Sequence, residues 1–265
     1  MNLQSLIAKS ADGVPIHYDL RGKGMPALVF IHGWCCDRHY WDRQVDHFAD
    51  HTVVRIDLAG HGVSGKDRSQ YTMEAFGQDV VAVIEQLGLS QVVLIGHSMG
   101  GAVIIEAAKR LPNKVIGLVG ADTWSDLEHA RTPEQLAQFL IPFRTDFANT
   151  TRAFLQRAFV PTSDPTLVEE IVTKMSAISP QIGFGAWEEL LTYDRVMQKR
   201  LQAIRAPKVA INADWRPMDV DAAQRSGVHM MQMSGVGHFV MMEDPETFNR
   251  LLDEALEEII DRSAR

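Results

Sequence analysis

The order of apolar and polar positions along the chain predicts a sheet whose strands alternate with helices. Residues 3–9 and 14–20 alternate apolar and polar side chains around Ala11-Asp12-Gly13, which predicts an antiparallel hairpin. Continuous apolar runs follow, as in strands that helices cover on both faces. The remaining predicted strands lie at residues 27–31, 52–56, 92–95, 115–120, 208–211 and 228–233. This alternation predicts an α/β fold with a mostly parallel central sheet and helices on both faces.

The alternation stops between residues 125 and 204, where the sequence shows only helical patterning. Thr132-Pro133 and Asp164-Pro165 are typical helix starts, because a capping side chain precedes a proline at the first helical position. A helical block inserted between two strands fits best over the carboxyl edge of the sheet, where α/β proteins bind ligands. We therefore predict an α/β core of residues 1–124 and 205–265 and a helical cap, or lid, of residues 125–204.

Composition and charge narrow the class of partner. With 46% hydrophobic and 23% charged residues, the chain of 265 residues is typical of a globular protein with a large core. A formal net charge of −8 provides no basic surface for nucleic acid or an anionic membrane. The first residues lack the pattern of a secretion signal, and no charge-free apolar run has the length of a membrane span. We therefore expect a cytoplasmic protein, a monomer or homodimer, that acts on a small molecule.

Cysteine usage argues against a disulfide framework and against a zinc site. The two cysteines, Cys35 and Cys36, are adjacent in the sequence, and a disulfide between neighbours is strained. No second cluster of cysteines or histidines has the spacing of metal ligands. We expect two free thiols in or beneath a pocket, and neither a metal nor an organic cofactor.

A glycine-rich segment, Gly96-His97-Ser98-Met99-Gly100-Gly101, follows one apolar run and precedes a helical, alanine-containing run. A G-x-S-x-G pattern between a strand and a helix is typical of a nucleophile elbow. The turn presents the Ser98 hydroxyl, and the Met99 N–H lies at a helix N-terminus, where it can face a developing negative charge. Glycines beside a serine also occur in ordinary strand-to-helix turns. Ser98 as nucleophile and Met99 as oxyanion donor therefore need support from the rest of the chain.

The strand at 27–31 ends in His32-Gly33-Trp34, where the glycine lets the backbone turn back toward the sheet edge. This turn would direct the Trp34 N–H into the space that the Met99 N–H faces, which makes Trp34 the second candidate oxyanion donor. The alternative is a plain turn with Trp34 in the core.

The glycine-rich loop at 57–65 lacks the spacing of a phosphate site and is interpreted as a structural turn.

A serine hydroxyl is a weak nucleophile and needs a base that is itself oriented by a carboxylate. His238 is the candidate base, because it follows the last predicted strand on a glycine-rich loop near the C-terminus. In the order serine, acid, histidine, the acid lies between Ser98 and His238 in the sequence.

These motifs together resemble the α/β-hydrolase superfamily over nearly the whole chain, and in particular its serine esterase-like branch with a helical lid. The matching segments are His32-Gly33-Trp34, 57–64, 96–101, Gly237-His238-Phe239 and 242–245. The resemblance implies that Ser98 is the nucleophile, that His238 is the general base and acid, and that the N–H groups of Trp34 and Met99 form the oxyanion hole. A serine at the elbow is unlike the haloalkane dehalogenases and epoxide hydrolases of the superfamily, which use an aspartate there.

The resemblance leaves two positions open for the acid. In the commonest family pattern the acid follows the strand after the lid, where Arg216 is the aligned residue; Asp214 could serve if the loop is shortened. Other members carry the acid at the end of the preceding strand, where Asp122 stands. We favour Asp122, because it directly follows an uninterrupted strand. The other carboxylate would then be a helix cap or a surface group.

The resulting hypothesis is a serine hydrolase that cleaves a carboxylic ester, a lactone or a related acyl compound through a covalent acyl-enzyme. An alternative is a cofactor-independent dioxygenase on the same fold, in which a His-Asp pair deprotonates a heteroaromatic substrate; residues 32–35 and the placement of Asp122 and Trp124 resemble such enzymes. A second alternative is a catalytically slow ligand receptor that uses the same pocket.

Overall fold

The computed structural model of the protein describes residues 3–128 and 130–263. Met1, Asn2, His129, Ala264 and Arg265, which the predicted core and cap ranges include, lie outside the described residues. Within these ranges the strands are β1 (Gln4–Lys9), β2 (Pro15–Arg21), β3 (Ala27–Ile31), β4 (Thr52–Ile56), β5 (Val92–His97), β6 (Val115–Ala121), β7 (Lys208–Ala213) and β8 (Val228–Met233).

Helices alternate with the strands from β3 to β6, follow one another between β6 and β7, and alternate with the strands again from β7. They are α1 (Asp42–Val45), α2 (Met73–Gln86), α3 (Met99–Arg110), α4 (Pro133–Thr145), α5 (Phe147–Leu155), α6 (Pro165–Ser176), α7 (Pro180–Gln202), α8 (Val220–Arg225), α9 (Val240–Glu243) and α10 (Pro245–Ser263). Two 3₁₀-helices span Arg38–Trp41 and Gln156–Ala158. In the described part of the chain, every helix is too short or too polar to cross a membrane.

All eight strands form one sheet in the order β1-β2-β4-β3-β5-β6-β7-β8. The pairs β1-β2 and β2-β4 are antiparallel, and every other neighbouring pair is parallel. The predicted opening hairpin and the predicted α/β architecture with a mostly parallel sheet are therefore confirmed. Since β3, β5 and β6 are adjacent and parallel, their carboxyl ends bring the segments after residues 31, 97 and 121 to one edge.

The central strands are buried because helices pack on the sheet. Every residue of β3, β4, β5 and β7 is buried, as the continuous apolar run of β3 predicts; β4 and β7 also bury polar residues, among them Arg55 and Asn212. Helix α2 begins where the Thr72 side chain accepts a hydrogen bond from the Ala75 N–H, and its buried residues include Phe76, Val80 and Val83. The polar faces of such helices remain toward solvent.

The loop at 57–65 is held by an internal carboxylate. Asp57 is fully buried and forms an ion pair with Arg38. It also accepts a hydrogen bond from the Val63 N–H at 3.0 Å, and the Ser64 hydroxyl donates to its carbonyl at 2.6 Å. These contacts agree with the interpretation of this loop as a structural turn.

The segment between β6 and β7 contains only helices within its described residues, α4 to α7. The predicted starts are present: Thr132 forms a capping box with Gln135, and the Asp164 side chain caps α6. The segment is attached to the core through Glu106 of α3, which accepts hydrogen bonds from Tyr193 at 2.9 Å and Arg200 at 2.6 Å. The role of this segment as a cap remains a prediction at this point.

Candidate active site

Ser98 occupies a strained turn between a buried strand and a buried helix. It separates β5 from α3 and has φ 51° and ψ −114°, a region that side-chain-bearing residues rarely adopt. A Cβ atom on Gly96 would lie 2.4 Å from the Gly100 carbonyl oxygen, and a Cβ on Gly100 would lie 2.6 Å from that of Ile31. Both glycines are therefore required by close backbone approach, which explains the spacing of the motif.

The Ser98 side chain is half-buried and lines the same cavity as His238. Among the described residues, its hydroxyl makes no hydrogen bond, and a contact with His238 is expected to form when substrate binds. Such tightening is common in catalytic sites.

His238 is paired with Asp122. The Nδ1 atom of His238 lies 2.5 Å from Oδ2 of Asp122, whose side chain is 1% exposed. Burial alone would raise the pKa of Asp122, but the hydrogen bond from His238 and the charges of His238 and Arg216 outweigh it and hold that pKa below its ordinary value. A carboxylate acceptor assigns the proton to Nδ1 and leaves Nε2 of His238 able to accept a proton.

The other candidate acid lies elsewhere. The Asp214 side chain is exposed, and its backbone N–H donates to the Met233 carbonyl at 2.9 Å. The structure thus brings Asp122, and not Asp214, into contact with His238. Arg216, which the family pattern aligned with the acid, lines the cavity with its Nη2 atom 3.8 Å from Oδ2 of Asp122.

The turn that carries Asp122 is fixed by an asparagine at the end of β7. Asp122 and Trp124 both have positive φ, 43° and 60°. Between them, the Thr123 N–H donates to Oδ1 of Asn212 at 3.1 Å, and the Asn212 amide donates to the Thr123 carbonyl at 2.9 Å. Sequence reasoning did not identify Asn212, although a polar residue inside an apolar strand was the available signal.

Glu243 holds the loop on both sides of His238. Its carboxylate accepts from the Gly237 N–H at 3.0 Å and from the Phe239 N–H at 3.1 Å. The Ser163 hydroxyl donates to the same carboxylate at 2.5 Å, and the His238 N–H donates to the Ala158 carbonyl at 2.7 Å. Since the last two contacts come from the helical segment 125–204, that segment helps to position His238.

His97 connects the histidine loop to the turn after β3. Burial and the charge of His238 lower the pKa of His97 to about 3, so it is neutral. Its Nε2 atom lies 2.9 Å from the His238 carbonyl and therefore carries the proton that is donated there. Its Nδ1 atom is buried without a partner among the described residues, and a Cβ on Gly33 would lie 2.7 Å from it. His97 thus requires glycine at position 33.

The two predicted oxyanion donors have free backbone N–H groups. Within residues 3–128 and 130–263, neither the Trp34 N–H nor the Met99 N–H donates to a protein group. The indole of Trp34 is buried, donates to the Gly183 carbonyl at 2.7 Å and stacks on Trp187 with ring centroids 4.6 Å apart. Trp34 therefore has its side chain in an aromatic cluster, as the alternative held, and still has an unpaired N–H.

The site opens into a cavity of about 370 Å³. Its apolar lining includes Phe139, Phe154, Leu155, Met175, Trp187 and Leu191. Cys36 also lines it, and both cysteines are buried free thiols, as predicted. Its charged lining includes Arg131 and Asp194, and burial raises the pKa of Asp194 to about 6. Within the described residues, no group of three or more metal-binding side chains is arranged to hold an ion.

Comparison with known proteins agrees with this architecture. A model described as alpha/beta hydrolase fold matches residues 26–245. The 3-oxoadipate enol-lactonase 2 of Acinetobacter baylyi is 26% identical over 259 residues, which cover 93% of this chain and 95% of that protein. The solved structure of Est816, described as an N-acyl homoserine lactone degrading enzyme, superposes with a TM-score of 0.78 at 28% identity and covers 94% of this chain and 99% of that one.

Several other relatives match over a shorter stretch. The bifunctional esterase/perhydrolase of Acinetobacter calcoaceticus is 37% identical over 105 residues, which cover 38% of each protein. The chain spans 43% of a relative from Mycobacterium phage D29 and 29% of an acetyltransferase component from Cupriavidus necator. The family model, by contrast, covers most of the sequence, from the start of β3 to the start of α10. The chain therefore belongs to the alpha/beta hydrolase fold family.

Proposed function

We propose that the protein is a serine hydrolase that cleaves carboxylic esters, including lactones, with Ser98 as nucleophile, His238 as base and Asp122 as the acid. The observation that carries this proposal is the 2.5 Å contact between His238 and the buried Asp122 in a cavity that Ser98 also lines. A serine at positive φ between a strand and a helix, with free N–H groups nearby, supports it further.

The proposed reaction runs through an acyl-enzyme. Nε2 of His238 accepts the Ser98 proton while Oγ attacks the substrate carbonyl, and Asp122 stabilises the imidazolium that forms. The N–H groups of Trp34 and Met99 donate to the oxyanion of the tetrahedral intermediate. His238 then protonates the leaving alcohol, and a water that His238 deprotonates releases the acid from Ser98.

We further propose that residues 125–204 form a cap over the sheet edge. In this cap, the rings of Phe139, Phe154 and Trp187 contact the acyl or alcohol part of the substrate. The lining of the cavity by these rings supports this role. So does the hydrogen bond from the Trp34 indole to Gly183, which links the predicted oxyanion turn to α7. A cap of this kind excludes water and strengthens the electrostatic interactions inside the site.

The relatives support a substrate with an ester bond, open or cyclic. Two of the proteins that match over nearly their whole length are named for lactones, an enol-lactone and N-acyl homoserine lactones. A lactone is an intramolecular ester, so the same nucleophile, base and oxyanion donors serve both.

The contact between His238 and the buried Asp122 also supports one second candidate, because that pair can abstract a proton without a covalent serine. In a cofactor-independent dioxygenase the His238-Asp122 pair alone would deprotonate a heteroaromatic substrate, and the serine would form no covalent bond. This reaction consumes oxygen, so it is separable from ester hydrolysis by experiment.

The test combines turnover with covalent labelling. We expect wild type to hydrolyse 4-nitrophenyl butanoate and a γ-lactone, and to bind one fluorophosphonate per chain at Ser98. Ser98→Ala should lower kcat by at least about 10,000-fold. Ser234→Ala is the matched control at an exposed serine and should behave as wild type. Full activity of Ser98→Ala would refute the proposal. Oxygen uptake with hydroxyquinolones, without labelling, would favour the dioxygenase.

A further inference from the structure

Arg216 lines the cavity beside His238, and its guanidinium makes no hydrogen bond to another described residue. Its Nη2 atom lies 3.8 Å from Oδ2 of Asp122, which is beyond hydrogen-bond distance. Its Nε atom is buried and has no hydrogen-bond partner within the described residues. The guanidinium packs over Trp215, at 5.1 Å from the ring centre, and Trp215 in turn meets the His238 ring edge-to-face at 6.3 Å.

Asp122 does not need Arg216 to satisfy its oxygens. Its Oδ1 atom accepts from the Ala213 N–H at 3.1 Å. Its Oδ2 atom accepts from His238 at 2.5 Å and from the Trp215 indole at 3.3 Å. The carboxylate is thus already bound by three donors, and the buried Nε of Arg216 is left without an acceptor among the described residues, although the side chain as a whole is 40% exposed.

Asp194, another carboxylate of the cavity lining, is influenced by a different cation. The charge that acts on Asp194 is that of Arg131, together with Asp126, and Arg216 is not among its influences. Arg131 itself lies over the Phe139 ring at 4.6 Å on the cap side of the cavity. The cavity therefore has a cationic group next to His238 that no carboxylate of the described residues binds by hydrogen bonds.

A buried guanidinium N–H without an acceptor is unfavourable, so its retention points to an acceptor that arrives with a ligand. The planar fork of an arginine matches a carboxylate in two parallel hydrogen bonds. We propose that Arg216 forms a carboxylate-binding subsite, and that the substrate is an ester or lactone bearing a carboxylate group. This inference deepens the proposed function and rests on it. Arg216 is a specificity-determining residue at the position where the family commonly has its acid.

Two pairs of esters that differ only in charge test the subsite. 4-Nitrophenyl hydrogen succinate and its methyl ester compare an anionic with a neutral acyl part. 3-Acetoxybenzoate and its methyl ester compare the alcohol part in the same way. In at least one pair we expect wild type to prefer the anion, and Arg216→Gln to lower kcat/KM for the anion by about 10- to 100-fold, mainly through KM. The neutral ester should change by less than about threefold, and Arg216→Lys should restore part of the preference.

Arg250→Gln is the matched control, because Arg250 is an exposed residue of α10 that pairs with Glu254. It should leave both charge preferences unchanged. The proposal is overturned if Arg216→Gln alters neither preference. It is also overturned if Arg216→Gln lowers kcat equally for charged and neutral esters and moves the pH profile, since Arg216 would then act through Asp122.

A binding measurement keeps the subsite testable without turnover. In Ser98→Ala, calorimetry should detect tighter binding of methyl hydrogen glutarate than of dimethyl glutarate. The added change Arg216→Gln should weaken only the anion, by about tenfold or more. Equal binding of the anion by both variants refutes the subsite even if ester hydrolysis is established. Ser98-independent hydrolysis together with Arg216-dependent binding would instead refute the proposed function and keep the subsite.

Discussion

Replacement of Asp122 by asparagine changes one atom of the acid while preserving its shape. Asparagine also tolerates the positive φ of 43° at this position, so the turn should persist. Asp122 accepts from three donors, the Ala213 N–H, the Trp215 indole and His238. An amide has one oxygen, which accepts, and one NH₂ group, which donates. At least one of the three donors must therefore face the NH₂ group and lose its acceptor.

The consequence for His238 can be estimated from this geometry. If the amide oxygen stays with Ala213, the NH₂ group lies at 2.5 Å from Nδ1, where a proton is now held. His238 must then move its proton to Nε2, and it can no longer accept the proton of Ser98. Loss of the correct tautomer in serine proteases lowers kcat by about 10,000-fold. We expect a loss of about 1,000- to 10,000-fold here, equal to about 4 to 5.5 kcal/mol in the barrier.

The assay is the rate of 4-nitrophenyl butanoate hydrolysis at pH 8, with kcat and KM determined separately. KM should change little, because the substitution affects proton transfer rather than binding. Asp214→Asn is the matched control at the exposed candidate and should stay within about twofold of wild type. Circular dichroism and the melting temperature establish that each variant is folded.

Two results would refute this reasoning. A folded Asp122→Asn variant that retains more than about a tenth of wild-type kcat would mean that the acid does not set the tautomer. A loss confined to Asp214→Asn would mean that the loop after β7 rearranges and supplies the acid.

Three further predictions concern strain, burial and the histidine loop. Ser98→Gly should be inactive but more stable to unfolding than Ser98→Ala by about 1 kcal/mol, because glycine adopts φ 51° without strain. Burial raises the pKa of Asp194 to about 6, so the folded state binds the proton of this carboxyl more tightly than the unfolded state does. This contribution to the free energy of unfolding is lost as pH rises from about 4 to 6. Asp194→Asn should therefore raise the free energy of unfolding by about 1 to 3 kcal/mol at pH 8 and much less at pH 4. Glu243→Gln should lower kcat by about tenfold with little change in KM, and Glu243→Ala should lower it further, because the N–H groups of Gly237 and Phe239 lose their acceptors.

Chemical denaturation and steady-state kinetics check these three expectations. Equal stability of Ser98→Gly and Ser98→Ala would mean that the turn relaxes without the hydroxyl. The same stability gain for Asp194→Asn at both pH values would contradict the burial argument. A change in KM alone for Glu243→Gln would show that the glutamate acts on substrate binding and does not position His238.

Sequence reasoning located the strands and the elbow because local patterns determine both. The strands at 27–31 and 52–56 have the bounds that their apolar runs predict. The turn at Ser98 was identified for the same reason, since its glycines are required where α3 closely approaches β5 and β3. Between β3 and β4 the helical part is short, since Asp37 caps a 3₁₀ turn at Arg38–Trp41 and α1 ends at Val45.

Two residues that act across long sequence separations, His97 and Asn212, were not identified as part of the site. His97 is 141 positions from the carbonyl that it binds at His238, and Asn212 is 89 positions from Thr123. Each of these pairs depends on which strands are neighbours and on the depth of each loop. The pattern of apolar and polar positions shows neither which strands are neighbours nor how deep a loop lies. In the sequence, such residues therefore look like ordinary members of their segments.

The choice between two acids has a physical basis in the order of the strands. Because β6 and β7 are adjacent and parallel, a carboxylate beyond either carboxyl end lies near the same histidine loop. Asp122 follows β6 and is held from the β7 side by the Ala213 N–H, so the acid contacts both strand ends. With Asp122 in this place, the position beyond β7 does not need a carboxylate to stabilise the His238 imidazolium. An arginine can therefore occupy it. On the proposed assignment, the acid after β6 and the guanidinium of Arg216 after β7 are linked, because a carboxylate after β6 allows a cation beside His238 that can bind an anionic substrate group.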